Sequence, residues 1–342
     1  GDEAGPQLMV STGNFEPGIA LAQTILERWF GRVIRWKNGP DGTLAQICSR
    51  QEFYENGKFE FTAVSVNGLE YPCAVHFPAG ITKEQARGLP LVFSVHGRGE
   101  PAWLFAQKNG WDTLADEIGA FVLAVPDSPQ NVWQLNRDGE AFGVLIKHLC
   151  ARYSLDRSRV YMTGFSNGGA FVRELCTRHP EWFAACAPFN APVRVPELTM
   201  DWVIAPEMQG SDWELPYWVT VGDSDPAAGT DVDEQLKIML AVNGCSLRSA
   251  NELPTCYVPD EIRTGQNWYA PQRGYDQGDR FITRIYHGRD GTPRVGYTIM
   301  RDMPHGMIAE QSRACWEFLR HFSRPEGHKQ VVWRTGGEKQ MQ

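Results

Sequence analysis

From Leu89 onward, short apolar runs alternate with longer stretches whose apolar residues recur every three or four positions. A sheet of strands joined by crossover helices produces that rhythm. Strands are predicted at Leu91 to Val95, Phe121 to Val125, Val160 to Thr163, Ala184 to Pro188, Trp218 to Val221 and Val295 to Met300. Helical spacing fills Leu104 to Ile118, Ala141 to Tyr153, Gly168 to Thr177, Val232 to Val242 and Met307 to Phe322. An uninterrupted apolar run such as Phe121 to Val125 suits a strand covered on both faces, as in a parallel sheet.

Ahead of this region the pattern differs. Ile19 to Phe30 follows the breaker Pro17-Gly18 and reads as one amphipathic helix, with Leu21, Ile25, Leu26 and Trp29 on its apolar side. At Phe59 the period becomes two, with Phe59, Phe61, Ala63 and Ser65 sharing a face, and Asn67-Gly68 marks a hairpin turn into Tyr71 to Phe77. Residues 1–58 are therefore expected to form an N-terminal extension and 59–323 one α/β catalytic domain. Irregular insertions are expected near 195–216 and 246–279, of the kind that forms lids, and a polar peripheral tail at 324–342.

Composition narrows the functional classes. With 42% hydrophobic and 22% charged residues, and no apolar run near the roughly 20 residues that cross a bilayer, a membrane span is not expected. The 41 acidic residues outnumber 33 basic ones, and no Lys/Arg run is dense enough to neutralise neighbouring phosphates, so nucleic acid is a poor partner. The 12 tryptophans suit either a core or a cleft for ring-bearing ligands. Among the 8 cysteines there is no CxxC pair and so no support for a metal site. Cys150, Cys176, Cys186 and Cys315 lie in apolar surroundings that favour buried free thiols, whereas Cys245 and Cys256 flank a polar loop and are candidates for a disulfide in an oxidising compartment. The chain starts at Gly1, which leaves both cytoplasmic and exported locations open.

The chemistry concentrates where Val160-Tyr161-Met162-Thr163 runs into Gly164-Phe165-Ser166-Asn167-Gly168-Gly169 and then into helical spacing. A strand, a G-x-S-x-G turn and a helix together form the context of a nucleophile elbow, with Ser166 the candidate nucleophile. A serine hydroxyl needs a base, and the base needs an orienting acid. Past the strand at Trp218, Gly222-Asp223-Ser224-Asp225-Pro226 offers two carboxylates, of which Asp225 is preferred because it stands beyond the turn that Gly222 permits. His305, in Arg301-Asp302-Met303-Pro304-His305-Gly306, follows Ser and Asp in the chain order this elbow requires, and His287 beside Gly288-Arg289-Asp290-Gly291 reads as part of a hairpin. Two N–H donors for an oxyanion are expected from Asn167, directly after the nucleophile, and from Arg98 in Ser94-Val95-His96-Gly97-Arg98-Gly99. His96, beside that turn, and Trp133, in the loop after the strand ending at Val125, are weaker candidates for substrate contact, with packing as the alternative.

Leu91 to Pro192 resembles the polyhydroxybutyrate depolymerase and feruloyl esterase-like branch of the α/β-hydrolases. The resemblance rests on the His96-Gly97 turn, Trp111-Asp112-Thr113-Leu114-Ala115-Asp116, and Arg159-Val160-Tyr161 ahead of Gly164-Phe165-Ser166-Asn167-Gly168-Gly169. More loosely it extends over Val219 to His305, where Gly222 and Asp225 reproduce the spacing of the branch's acid. It implies an α/β-hydrolase fold, cofactor-free ester hydrolysis, and a Ser166, Asp225, His305 triad. Val221 departs from the histidine common before that glycine, and the first 58 residues have no counterpart, so no particular substrate is implied. The expected function is a serine carboxylic ester hydrolase on small or aromatic acyl groups or hydroxyalkanoates. A serine peptidase of the same fold and a non-catalytic binding protein on a hydrolase scaffold are the alternatives.

Overall fold

The computed structural model describes residues 8–10, 50–191, 194–195, 200–201, 204–222, 225, 232–245, 281–300 and 305–334. In chain order these form β1 (Leu8–Val10), α1 (Arg50–Glu55), β2 (Glu60–Val66), β3 (Leu69–His76), β4 (Leu91–Val95), α2 (Ala102–Phe105) and α3 (Trp111–Ile118). Then come β5 (Val122–Pro126), α4 (Leu135–Tyr153), β6 (Val160–Phe165), α5 (Asn167–Arg178), β7 (Ala185–Phe189), β8 (Arg194–Val195) and β9 (Met200–Asp201). The remainder are β10 (Tyr217–Gly222), α6 (Val232–Val242), β11 (Phe281–His287), β12 (Pro293–Met300), β13 (Gly306–Ile308), α7 (Ala309–Leu319), β14 (Phe322–Ser323) and β15 (Val332–Trp333).

Nine strands make one sheet in the order β11, β12, β10, β7, β6, β4, β5, β3, β2. The six from β5 to β12 are mutually parallel, and β2, β3 and β11 are antiparallel additions at the two edges. Every residue of β4, β5, β6, β7 and β10 is buried, as a sheet covered on both sides requires. Along β4, Leu91, Phe93 and Val95 enter the core under α4, α5 and α6, whereas Val92 points to the opposite core with Trp111, Leu114, Trp316 and Leu319 of α3 and α7. Trp111, Trp133, Trp218 and Trp316 are all at most 2% exposed, so these four belong to the core.

Several expectations change. The stretch Leu104 to Ile118 is two helices, because Gly110 takes φ 71° and the Asn109 Oδ1 accepts the Trp111 N–H at 3.0 Å to start α3 afresh. Met307 lies in β13, which pairs antiparallel with β1, and α7 begins only at Ala309. The face carrying Phe61, Ala63 and Ser65 is the outer side of edge strand β2, and Phe61, 38% exposed, lies against Tyr54 with ring centroids 4.7 Å apart. The boundary drawn at Arg324 falls inside packed structure: its guanidinium is buried and binds the carbonyls of Phe183 (2.8 Å), Lys329 (2.6 Å) and Glu214, and burial lowers its pKa to about 10. Within residues 204–216, Ile204, Ala205, Met208 and Leu215 are buried, and the Ala205 N–H donates to Thr177 Oγ1 at 2.9 Å. The helix expected at Ile19 to Phe30 and the insertion at 246–279 lie outside the described residues.

One close approach governs the centre of the sheet. A Cβ on Gly168 would sit 2.3 Å from the His96 carbonyl oxygen and 2.5 Å from that of Val95, both backbone atoms. Alanine is worth about 1 kcal/mol over glycine inside a helix, but that gain is outweighed by a contact that backbone cannot relieve without moving β4. Gly168→Ala is expected to destabilise by about 3 kcal/mol and lower Tm in a thermal melt; an unchanged Tm would contradict this packing.

Candidate active site

The elbow is assembled by three glycines. Besides the contact at Gly168, a Cβ on Gly164 would lie 2.5 Å from a Val95 methyl, and one on Gly169 would lie 2.8 Å from the Gly164 carbonyl oxygen. β6 and α5 are thereby allowed to converge, and the residue between them absorbs the turn. Ser166 has φ 55° and ψ −121°, a region that costs a side-chain-bearing residue roughly 1–3 kcal/mol. Its N–H donates to the Phe189 carbonyl at 3.0 Å and its carbonyl accepts the Ala170 N–H at 2.9 Å, so both flanking elements hold the strained residue.

Two further chain crossings bring the partners to the same sheet edge. β10 ends at Gly222, whose carbonyl accepts the Asp225 N–H at 3.2 Å and turns the chain back. β12 ends at Met300, a few residues before His305. The carboxyl ends of parallel strands form the edge where open α/β sheets bind ligands. His305 Nδ1 lies 2.9 and 3.1 Å from the two Asp225 oxygens, and His305 Nε2 lies 2.8 Å from Ser166 Oγ. A carboxylate only accepts, so Nδ1 carries the hydrogen and Nε2 is left to receive the Ser166 O–H. The Asp225 side chain is fully buried and that of His305 is 13% exposed, its ring lying 4.9 Å from that of Phe165. Asp223, the other carboxylate considered, lies outside the described residues.

Asn167 is the first residue of α5, and N–H groups of a first helical turn have no intrahelical acceptor. Arg98 occupies the turn after β4, and a Cβ on its neighbour Gly97 would lie 3.5 Å from the Ser166 Cβ. The candidate donors thus belong to segments that adjoin Ser166. His96 and Trp133 do not fit the substrate contacts expected of them. Both are 0% exposed, and Trp133 stacks on Phe171 at 5.1 Å within the core. They bind each other: the Trp133 indole N–H donates to the His96 carbonyl at 3.1 Å, with ring centroids 4.9 Å apart. The Asn167 side chain clasps the Trp133 backbone, accepting its N–H at 2.8 Å and donating to its carbonyl at 3.2 Å.

Sequence reasoning passed over the supporting loop Ser128 to Trp133, although Ser128-Pro129-Gln130-Asn131 is turn-forming in composition. Burial raises the Cys150 thiol to about 11 and Cys245 to about 12, and Cys176 and Cys315 are pushed well above the usual thiol range. Cys245 is a free thiol, and its suggested partner Cys256 lies outside the described residues.

Residues 71–195 match the family model described as esterase PHB depolymerase. Feruloyl esterase B of Neurospora crassa is 29% identical over 112 residues, 29% of this chain and 38% of that protein. Poly(3-hydroxyalkanoate) depolymerase C of Paucimonas lemoignei is 22% identical over 247 residues, 68% of this chain and 57% of that protein. The chain therefore spans less than two thirds of the length of either relative. Acetyl xylan esterase from Aspergillus awamori superposes with a TM-score of 0.54 at 14% identity, over 76% of this chain and 99% of that one, a likeness of fold. With a parallel sheet of this order and a match to the esterase PHB depolymerase family model at 71–195, the chain has the α/β-hydrolase fold and is similar over that region to polyhydroxybutyrate depolymerases and feruloyl esterases.

Proposed function

We propose that the chain is a serine carboxylic ester hydrolase working through an acyl-enzyme. The observation that carries this reading is the unbroken line of hydrogen bonds from Ser166 Oγ through His305 to Asp225, beginning at a strained elbow. Ser166 Oγ attacks the ester carbonyl carbon as its proton passes to His305 Nε2, and the carbonyl oxygen becomes an oxyanion held by the Asn167 and Arg98 N–H groups. Buried Asp225 keeps the ring in the required tautomer and stabilises the transient imidazolium. His305 returns the proton to the departing alkoxide, leaving Ser166 acylated and an alcohol released. Water, deprotonated by His305, then attacks the acyl carbon, releases the acid and restores the Ser166 hydroxyl. The branch and its named relatives support esters of small or aromatic acids or of hydroxyalkanoates as substrates.

A fluorophosphonate probe is expected to label the folded protein at Ser166, as located by peptide mass spectrometry, and Ser166→Ala to abolish labelling and ester turnover together. Labelling of active protein at a different residue would remove the nucleophile assignment.

The two neighbouring carboxylates separate by kinetics. Asp225→Asn is expected to lower kcat by about 10³- to 10⁴-fold, since an amide next to Nδ1 favours the wrong tautomer. Asp223→Asn is expected to cost about tenfold or less. Both are measured on one ester with melts alongside, and the reverse order would transfer the role to Asp223.

His305 accepts a proton only when neutral. The expected kcat/KM therefore falls toward acid pH, by about tenfold per pH unit on the limb where the ring is protonated. A kcat/KM unaffected by acidification, in protein that melts show to be folded, would argue against a histidine base.

A further inference from the structure

The turn bearing Arg98 is restrained from three directions, and each restraint can be traced to a specific atom. His96 Nδ1 lies 2.7 Å from the Gly97 carbonyl oxygen. Since a carbonyl only accepts, Nδ1 carries a hydrogen whatever the charge on the ring. On the other side of the ring, the Ser128 N–H meets Nε2 at 3.2 Å, and an Asp127 oxygen stands at the same distance. The Trp133 indole holds the His96 carbonyl, and the Gly99 N–H donates to the Asn131 carbonyl at 2.7 Å. Gln130 and Asn131, which shape that anchoring loop, are both left-handed, at φ 63° and 53°. Two adjacent non-glycine residues in this region cost roughly 1–2 kcal/mol each, and such strain concentrates where surrounding structure imposes a geometry.

The Gly97–Arg98 peptide is trans and planar, so its N–H points opposite to its carbonyl. Tying the Gly97 carbonyl to the buried His96 ring therefore directs the Arg98 N–H away from that ring. Glycine at position 97 would otherwise let this peptide rotate, and the flipped form would present a carbonyl to the oxyanion where a donor is needed.

We propose that His96 is the positioning residue of the oxyanion site: its Nδ1–H locks the Gly97–Arg98 peptide in the orientation that offers the Arg98 N–H to the developing charge. Trp133 and Ser128 in turn lock His96, so the aromatic core under α4 and α5 reaches the oxyanion through one imidazole. This proposal rests on the esterase reading above. Its effect is confined to the transition state, where the charge develops, and so appears in kcat and leaves KM in place.

Three variants test it on an ester that the wild type hydrolyses. His96→Leu fills the space without a donor, His96→Asn restores an amide N–H near the position of Nδ1, and Trp133→Phe keeps a ring and deletes the indole N–H. His96→Leu is expected to lower kcat by about 100-fold with KM within about threefold. His96→Asn should recover about tenfold of that loss, and Trp133→Phe should lose about tenfold in kcat. Affinity for a trifluoromethyl ketone, which forms a tetrahedral oxyanion on the serine, should fall in parallel with kcat. Equal kcat in His96→Asn and His96→Leu, or a loss confined to KM, overturns the proposal. Should His96→Leu fail to fold, Trp133→Phe decides, and unchanged kcat and inhibitor affinity there overturn it. A wild type that turns over no ester overturns the esterase reading as well, which separates the two failures.

Discussion

Everything at the candidate site depends on how closely α5 approaches the end of β4. Gly168 meets the carbonyls of Val95 and His96 at a distance that excludes even a methyl group, and Gly164 meets Val95 in the same way. With strand and helix that close, the intervening residue is driven to a positive φ, and Ser166 is projected from the sheet edge while its backbone is tied to Phe189 and Ala170. The same close approach sets the Gly97-Arg98 turn beside Ser166, because a Cβ on Gly168 would collide with the His96 carbonyl and one on Gly97 would lie 3.5 Å from the Ser166 Cβ. Strain and preorganisation therefore have one origin, in packing that the large flanking cores hold in place.

The charged partners are arranged by burial as much as by distance. Asp225 is removed from water and His305 is only slightly open to it, so the pair interacts in surroundings of lower polarity than bulk solvent. The ring of Phe165, one residue before Ser166, lies against His305 and narrows the positions the imidazole can take. The strand ends at Gly222 and Met300 place Asp225 and His305 near Ser166 because β10 and β12 run parallel to β6 in one sheet. In such a sheet all the strand carboxyl ends share an edge, and residues 80 and 139 positions apart in the chain become neighbours there.

Away from the site, Arg324 anchors the chain after β14 to earlier parts of the protein. Arg324 gathers carbonyls from Phe183, Glu214, His328 and Lys329, so its buried charge is compensated by backbone oxygens from separate parts of the chain. A guanidinium has five N–H donors in a fixed fork and can serve several carbonyls at once, which explains how Arg324 packs inward although Glu326 to Gln330 beyond it are exposed.

Local chemistry was enough to read the parallel sheet, the hairpin at Asn67-Gly68 and the elbow at Ser166. Continuous apolar runs mark strands covered on both faces, turn residues act within a few positions, and G-x-S-x-G carries its own steric logic. Chain order was enough to nominate Asp225 and His305, but not to bring them within hydrogen-bond distance. The pairing of β1 with β13 and the inward packing of Arg324 depend on partners remote in sequence, which periodicity does not report, and the break of the expected helix at Gly110 is local turn chemistry at Asn109-Gly110 that periodicity overlooks as well. His96 and Trp133 show the division most sharply. Proximity to motifs suggested that they touch substrate, whereas the tertiary structure buried both completely and joined them through one indole hydrogen bond beside the Gly97-Arg98 turn. A sequence records which groups can donate and accept; which face of the turn they occupy is decided only when α4, α5 and the Ser128 to Trp133 loop close over it.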